Sequence, residues 1–222
     1  MSEFFKAPSG IVYESFPIMF IQKMVRSEDD KESINKQIQL YKENCISDEQ
    51  RCPLVTVDML LFYEDPSGKL YVPIGQFDKV KTVLSGGTQR ITGAVMSGGH
   101  VEASEDPDIP TTAYRELEEE FGITEYKVPL QLVIEYTHMN VDPRNRLITH
   151  IFVGVTKQKP HPTEEMSKVA LVPAKELYDI IRDPTKKVTF PDGTTLDFVL
   201  GHRDKIYCAM MCGLTKKIMG LC

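Results

Sequence analysis

Residues 98–123, GGHVEASEDPDIPTTAYRELEEEFGI, decide the fold. This stretch contains a helix with recognisable ends. Pro110 suits a first helical turn, Asp108 can cap that turn, and Gly122 stands where helices commonly end in the left-handed conformation. The pattern therefore predicts a helix of about three turns that ends at Phe121.

The predicted helix carries three carboxylates on one patch. At about 100° per residue, Glu116, Glu119 and Glu120 cluster at i, i+3 and i+4, beside an apolar face with Leu117 and Phe121. Like charges at this spacing destabilise a helix by roughly a few tenths of a kcal/mol per pair. A solvated acidic face is the ordinary explanation of such a run. A hard divalent cation that offsets the repulsion is the alternative.

The surrounding residues favour the metal. A Gly-Gly turn, a carboxylate after it and an arginine directly before the acidic triplet are constraints that surface charge does not need. Together they resemble the box of the Nudix hydrolase family, G-x5-E-x7-R-E-U-x-E-E-x-G-U, in which U is an aliphatic residue. The matching residues are Gly99, Glu105, Arg115, Glu116, Leu117, Glu119, Glu120, Gly122 and Ile123.

One spacing departs from the family's box. Nine residues instead of seven separate Glu105 from Arg115. The two extra residues fall in DPDIP, before or at the start of the helix, where a longer loop can accommodate them without changing the helix register. We therefore expect the three helix carboxylates to keep their arrangement.

The resemblance implies a fold, a reaction and a cofactor. The fold is α/β (α+β), a Nudix-type α/β/α sandwich with a mixed sheet between helices. The reaction is hydrolysis of a diphosphate linkage in a nucleoside diphosphate joined to another moiety, such as a nucleotide sugar or an ADP-ribose-like compound. The cofactor is Mg²⁺, with Mn²⁺ as a substitute, since Mg²⁺ takes oxygen ligands and binds substrate phosphates. It lowers the pKa of a water that attacks phosphorus.

The resemblance also assigns roles by position. Arg115 orients Glu116, which is the first choice of general base, and Glu105 is assigned to catalysis with them. A glutamate of a flanking loop is the alternative base. The implied metal ligands are Glu116, Glu119, Glu120 and the carbonyl of Gly98.

Four more residues are candidate substrate contacts. His100 and Glu102 follow the glycine pair, on what resembles the family's strand into the box, where side chains often face substrate. Plain solvent exposure is the alternative for both. Glu164 and Glu165 precede a segment that resembles the family's late strand and helix, and one of them is a candidate acidic ligand. The alternative is a pair of exposed loop glutamates.

Apolar periodicity and turn residues place the other elements. Residues 1–50 are expected to form an N-terminal extension, with a strand at 16–24 and an amphipathic helix whose apolar positions run from 34 to 45. Residues 51–222 are expected to form the Nudix hydrolase domain. Its predicted strands are 54–63, 70–74, 128–136, 147–156 and 168–173, and its further helices are 174–182 and 205–219.

Composition restricts the class of protein. The 222 residues are 41% hydrophobic and 26% charged, as in an ordinary globular protein, and no segment approaches the roughly 18 apolar residues of a membrane span. The N-terminal residues lack a basic region followed by an apolar one, so we expect no secretory signal and a cytoplasmic protein. Five cysteines without metal-binding spacing argue against a disulfide framework and a zinc site.

Several functional alternatives remain open. An isoprenyl diphosphate isomerase of the same fold would need a distinctive cysteine context that is absent here. A catalytically silent binding or regulatory module would usually have lost carboxylates. The net charge of −6 gives no general attraction to nucleic acid, although an enzyme that removes messenger-RNA caps stays open. The expected partner is a small nucleotide-type substrate, no membrane contact is expected, and a homodimer is left open.

Overall fold

The structure is a computed structural model that describes residues 3–6, 12–15, 54–82, 88–101, 106–138, 147–199 and 201–221. The strand predicted at 16–24 and the helix predicted at 34–45 lie outside these residues. Two short strands at the N-terminus, β1 (Glu3–Lys6) and β2 (Val12–Ser15), pair antiparallel.

A seven-stranded mixed sheet forms the centre of the fold. Its main path runs β5-β4-β3-β8-β7, with β6 paired to β3 and β9 paired to β4. Only the β3–β8 pair is parallel among these pairings. The strands are β3 (Leu54–Glu64), β4 (Leu70–Thr82), β5 (Thr88–Val95), β6 (Ser97–His100), β7 (Val128–His138), β8 (Leu147–Thr156) and β9 (Val169–Pro173).

Four helices and a small hairpin complete the described chain. The hairpin consists of β10 (Val188–Thr189) and β11 (Thr195–Leu196). The helices are α1 (Ile109–Phe121), α2 (Ala174–Arg182), α3 (His202–Met211) and α4 (Gly213–Ile218). None of the helices in the described ranges is long and apolar enough to cross a membrane.

The helices cover both faces of the sheet because successive strand residues point to opposite faces. Leu60 and Phe62 of β3 belong to a core cluster with residues of α2 and α3. Met59 and Leu61 belong to a second cluster with residues of α1. Full burial of each such side chain stabilises the fold by roughly 1.5–3 kcal/mol. The architecture confirms the predicted α/β/α sandwich with a mixed sheet.

Two predictions for the domain were wrong in detail. The closing helix predicted at 205–219 is two helices, because Cys212 has an extended backbone (φ −68°, ψ 155°) between α3 and α4. Its Sγ accepts a hydrogen bond from the Thr215 N–H at 3.5 Å and caps α4. The strand predicted to end at residue 74 continues to Thr82, where it pairs with β5 in a hairpin that the glycine-rich sequence did not indicate.

Candidate active site

Helix α1 has the ends that the sequence predicts. The Asp108 carboxylate accepts a hydrogen bond from the Thr111 N–H at 2.8 Å, and Pro110 lies in the first turn. The helix ends at Gly122, which has a φ of 67° and donates its N–H to the Glu118 carbonyl at 2.9 Å. Because α1 runs without interruption from Ile109 to Phe121, its carboxylates keep the helical register that the sequence predicts.

The glycine pair of β6 lets α1 approach the sheet closely. The Gly98 N–H donates to Glu120 Oε2 at 3.0 Å. A Cβ on Gly99 would overlap the Glu116 carboxylate, and a Cβ on Gly98 would overlap the Asp58 carboxylate on the other face of the sheet. A Cβ on Gly98 would also overlap the Val57 carbonyl, so glycine is required at that position for steric reasons, whereas a Cβ on Gly99 would displace the Glu116 carboxylate. Neither glycine has a positive φ.

Two of the predicted ligands are buried carboxylates. Glu116 is 8% exposed and Glu120 is 9% exposed. Burial raises the pKa of Glu116 to about 7, against the opposing charge of Arg115, and the charges of Glu119 and Glu165 raise it further. Burial raises the pKa of Glu120 to about 8, although hydrogen bonds from Ser97 and Gly98 oppose this. Both carboxylates are therefore short of positive charge, and a bound cation would stabilise their ionised forms.

Arg115 is the cation beside these carboxylates. Its Nη1 lies 3.0 Å from Glu116 Oε1 and 2.7 Å from Glu119 Oε2. Its other edge faces Asp106, with Nε 3.0 Å from Oδ1 and Nη2 3.0 Å from Oδ2. Asp106 was not among the site residues predicted from the sequence. The signal that was present is its position, since Asp106 lies one residue nearer to Arg115 than Glu105 does.

Some of the remaining predicted residues lie near the carboxylates, and others lie outside the described residues. His100 ends β6, and its carbonyl accepts a hydrogen bond from Arg115 Nη2 at 3.4 Å. Glu164 and Glu165 are exposed on a loop that Thr163 fastens to α1, through a 3.2 Å hydrogen bond to the Glu120 carbonyl. Glu165 is near enough for its charge to affect Glu116. Glu102 and Glu105 lie outside the described residues.

Two further pairs of charged or polar residues lie near the glycine pair. Lys205 of α3 donates to Asp58 Oδ2 at 2.5 Å, and Asp58 faces Gly98 in the pairing of β3 with β6. Burial nevertheless raises the pKa of Asp58, despite the attraction to Lys205. On β8, His150 is 2% exposed and its Nε2 lies 3.5 Å from Glu135 Oε2. The first pair anchors α3 to the strand that supports the glycines.

The donor set fits a divalent cation by its chemistry. Glu116, Glu119 and Glu120 supply the hard oxygen ligands that Mg²⁺ and Mn²⁺ prefer. Within the described ranges, however, no three His, Cys, Asp or Glu side chains are already arranged to hold a metal ion. Glu119 is engaged by Arg115, and Glu120 by the Gly98 N–H. Metal binding therefore requires these side chains to exchange partners.

Comparisons with known proteins identify the family and the fold. The family model of the NUDIX domain matches residues 80–193, half of the chain. A sequence search of curated proteins found no match. The NUDIX domain of NrtR from Shewanella oneidensis, solved in complex with ADP ribose, is 16% identical, with a TM-score of 0.52 over 77% of this chain and 95% of that chain.

Two MutT/nudix family proteins have similar structures. The protein from Enterococcus faecalis is 15% identical, with a TM-score of 0.52 over 87% of this chain and 80% of that chain. The protein from Listeria innocua is 21% identical, with a TM-score of 0.50 over 76% of this chain and 99% of that chain. These likenesses support the fold, and the family model supports the expected class of Nudix pyrophosphohydrolase. The chain belongs to the Nudix family.

Proposed function

We propose that this chain is a Mg²⁺-dependent hydrolase that cleaves the diphosphate linkage of a nucleoside diphosphate joined to another moiety, in the cytoplasm. The observation that carries the proposal is the pair of buried carboxylates, Glu116 and Glu120, held against the Gly98-Gly99 backbone. Such burial costs free energy unless a cation compensates for the charge. Carboxylates on a solvated acidic face would not need such a cation.

The residues divide the work of hydrolysis among them. Glu116, Glu119 and Glu120 would hold the ion, with the Gly98 carbonyl as a further oxygen ligand. A bound divalent cation supplies charge neutralisation of the diphosphate and lowers the pKa of the attacking water. We assign to Glu116 the role of accepting the proton of that water. Arg115 holds Glu116 in place at 3.0 Å.

The substrate class is supported by the family and by one neighbour of known ligand. The NUDIX domain of NrtR was solved with ADP ribose, which contains a diphosphate between two ribose units. The acidic net charge of −6 also favours a small substrate recruited through a metal over a long polyanion. His100, Glu102, Glu164 and Glu165 are the residues that we assign to substrate contacts or to an additional acidic ligand.

The test is a panel of nucleoside diphosphate compounds, including ADP ribose, nucleotide sugars and capped RNA, incubated with the protein and Mg²⁺ or Mn²⁺. Phosphate release after coupling to a phosphatase measures turnover of the small substrates, and cap release measures turnover of the RNA. We expect turnover of a small diphosphate compound that disappears with EDTA. Exclusive turnover of capped RNA would select the cap-removing alternative. Metal binding without any turnover would select the silent module.

Glu119→Gln and Glu118→Gln form a matched pair on α1. Glu119 lies 2.7 Å from Arg115 in the candidate site, whereas Glu118 is an exposed residue of the same helix. We expect Glu119→Gln to lower kcat by at least ~10²-fold, because it removes a metal ligand. Glu118→Gln should leave kcat within about 2-fold, because surface substitutions have small effects. Equal rates for the two variants at saturating metal would contradict the assigned site.

A further inference from the structure

We propose that Asp106 is the positioning residue that fixes Arg115 and, through it, Glu116 and Glu119. The inference rests on the proposed function, since it concerns the geometry of the proposed metal ligands. It assigns a role to a residue that the family's box leaves unspecified.

The contact between Asp106 and Arg115 has the geometry of a strong ion pair. Two parallel hydrogen bonds of 3.0 Å join the Nε and Nη2 edge of the guanidinium to the two carboxylate oxygens. Such paired bonds are stronger and more directional than a single charged contact. The Asp106 side chain is 1% exposed, and Thr112 Oγ1 donates a further 2.8 Å hydrogen bond to its Oδ2. Asp106 is therefore a fixed support for Arg115.

The pairing decides which part of Arg115 meets the proposed metal ligands. With Nε and Nη2 held by Asp106, Nη1 is the guanidinium nitrogen that lies at 3.0 Å from Glu116 and 2.7 Å from Glu119. One guanidinium is thus shared among three carboxylates. Without Asp106, the whole positive charge would fall to Glu116 and Glu119, and it would compete with a metal ion for their oxygens.

The position of Asp106 in the sequence is consistent with this role. The family's glutamate is followed by seven residues before the arginine, whereas Glu105 is followed by nine and Asp106 by eight. Asp106 also lies just before the helix, two residues from the N-cap Asp108, so its position is tied to the start of α1.

The test measures Mn²⁺ affinity by the electron paramagnetic resonance of free Mn²⁺, together with kcat and KM on ADP ribose. We expect Asp106→Asn to weaken Mn²⁺ binding and to lower kcat by about 10–100-fold, the range for residues that orient metal ligands, with KM changed less than kcat. In an Arg115→Lys background the same substitution should change either quantity by less than about 2-fold, because the arginine through which Asp106 acts is gone.

Two controls separate positioning from general stability. Glu118→Gln removes a charge from the exposed side of the same helix, and it should leave Mn²⁺ affinity within about 2-fold. Glu105→Gln should cause a smaller loss than Asp106→Asn. A folded Asp106→Asn protein with wild-type affinity and kcat, full additivity with Arg115→Lys, or a larger loss from Glu105→Gln would each overturn the inference. Absence of Mn²⁺ binding by the wild-type protein would overturn the proposed function and this inference together.

Discussion

The substitution Glu120→Gln tests whether burial of the site carboxylates costs stability in the metal-free protein. Burial raises the pKa of Glu120 from 4.5 to about 8. The native state therefore keeps a proton that the unfolded chain has lost between these two pH values. The native state is favoured most below pH 4.5, and it loses this contribution as the pH rises towards 8.

The magnitude follows from the size of the shift. The rise in the pKa of Glu120 from 4.5 to about 8 sets an upper bound of about 5 kcal/mol on the stability that the native state loses when this side chain ionises. Rotation towards water lets the charged side chain recover hydration, so we expect a gain of ~1–2 kcal/mol for Glu120→Gln at pH 8.5 and almost none at pH 5. Glutamine is neutral at both values, and its carbonyl can still accept the Gly98 N–H.

The assay is urea unfolding in EDTA at pH 5 and pH 8.5, at equal ionic strength. The exposed Glu118→Gln variant is the control, and its free energy of unfolding relative to wild type should be the same at both values. Saturating Mg²⁺ should reverse the order at pH 8.5, because the ion binds the wild-type carboxylate more tightly. A Glu120→Gln protein that is less stable than wild type at pH 8.5 without metal would show that the buried charge does not cost stability.

Three other predictions follow from single contacts. Gly99→Ala should lower kcat by about 10-fold or more while the protein still melts cooperatively. The reason is that the added Cβ displaces the carboxylate of Glu116, a residue of α1, from its position against β6. Lys205→Met should lower the free energy of unfolding by about 3–5 kcal/mol at pH 8 and by less as the pH falls, because burial raises the pKa of Asp58 and a protonated Asp58 needs no cation. Asp58→Asn in the same chain should restore part of the loss. Asp108→Ala should cost about 1 kcal/mol in urea unfolding, through loss of the cap of α1, and wild-type stability would contradict the cap.

Local signals predicted the helix that carries the site. Asp108, Pro110 and Gly122 act on the residues beside them, so the ends of α1 could be located without knowledge of the rest of the chain. The face shared by Glu116 and Glu120 follows from helix geometry alone. The family assignment and the layered fold were predictable for the same reason, because the box is a local pattern.

Features that depend on distant contacts could not be predicted in this way. Strand β6 contains two glycines, which are poor strand formers, and it is a strand because β3 pairs with it. The closing helix breaks at Cys212, although the apolar spacing continues through that residue. The contact between Asp106 and Arg115 could not be predicted, because acidic residues are common before helices and do not by themselves indicate a partner.

The parallel pairing of β3 with β8 has a consequence for the order of folding. It joins Leu54–Tyr63 to Leu147–Thr156, so the contact closes a loop of about ninety residues. Such nonlocal pairing is slow to form, because loop closure precedes the stabilising contacts. During synthesis, the segment from β3 to α1 leaves the ribosome before β8. One edge of β3 is then unpaired. Phe152 of β8 packs in the same core cluster as Leu117 of α1. The packing that holds α1 against the sheet is therefore complete only after β8 has been synthesised. Chains that terminate after α1 are therefore expected to aggregate through that edge.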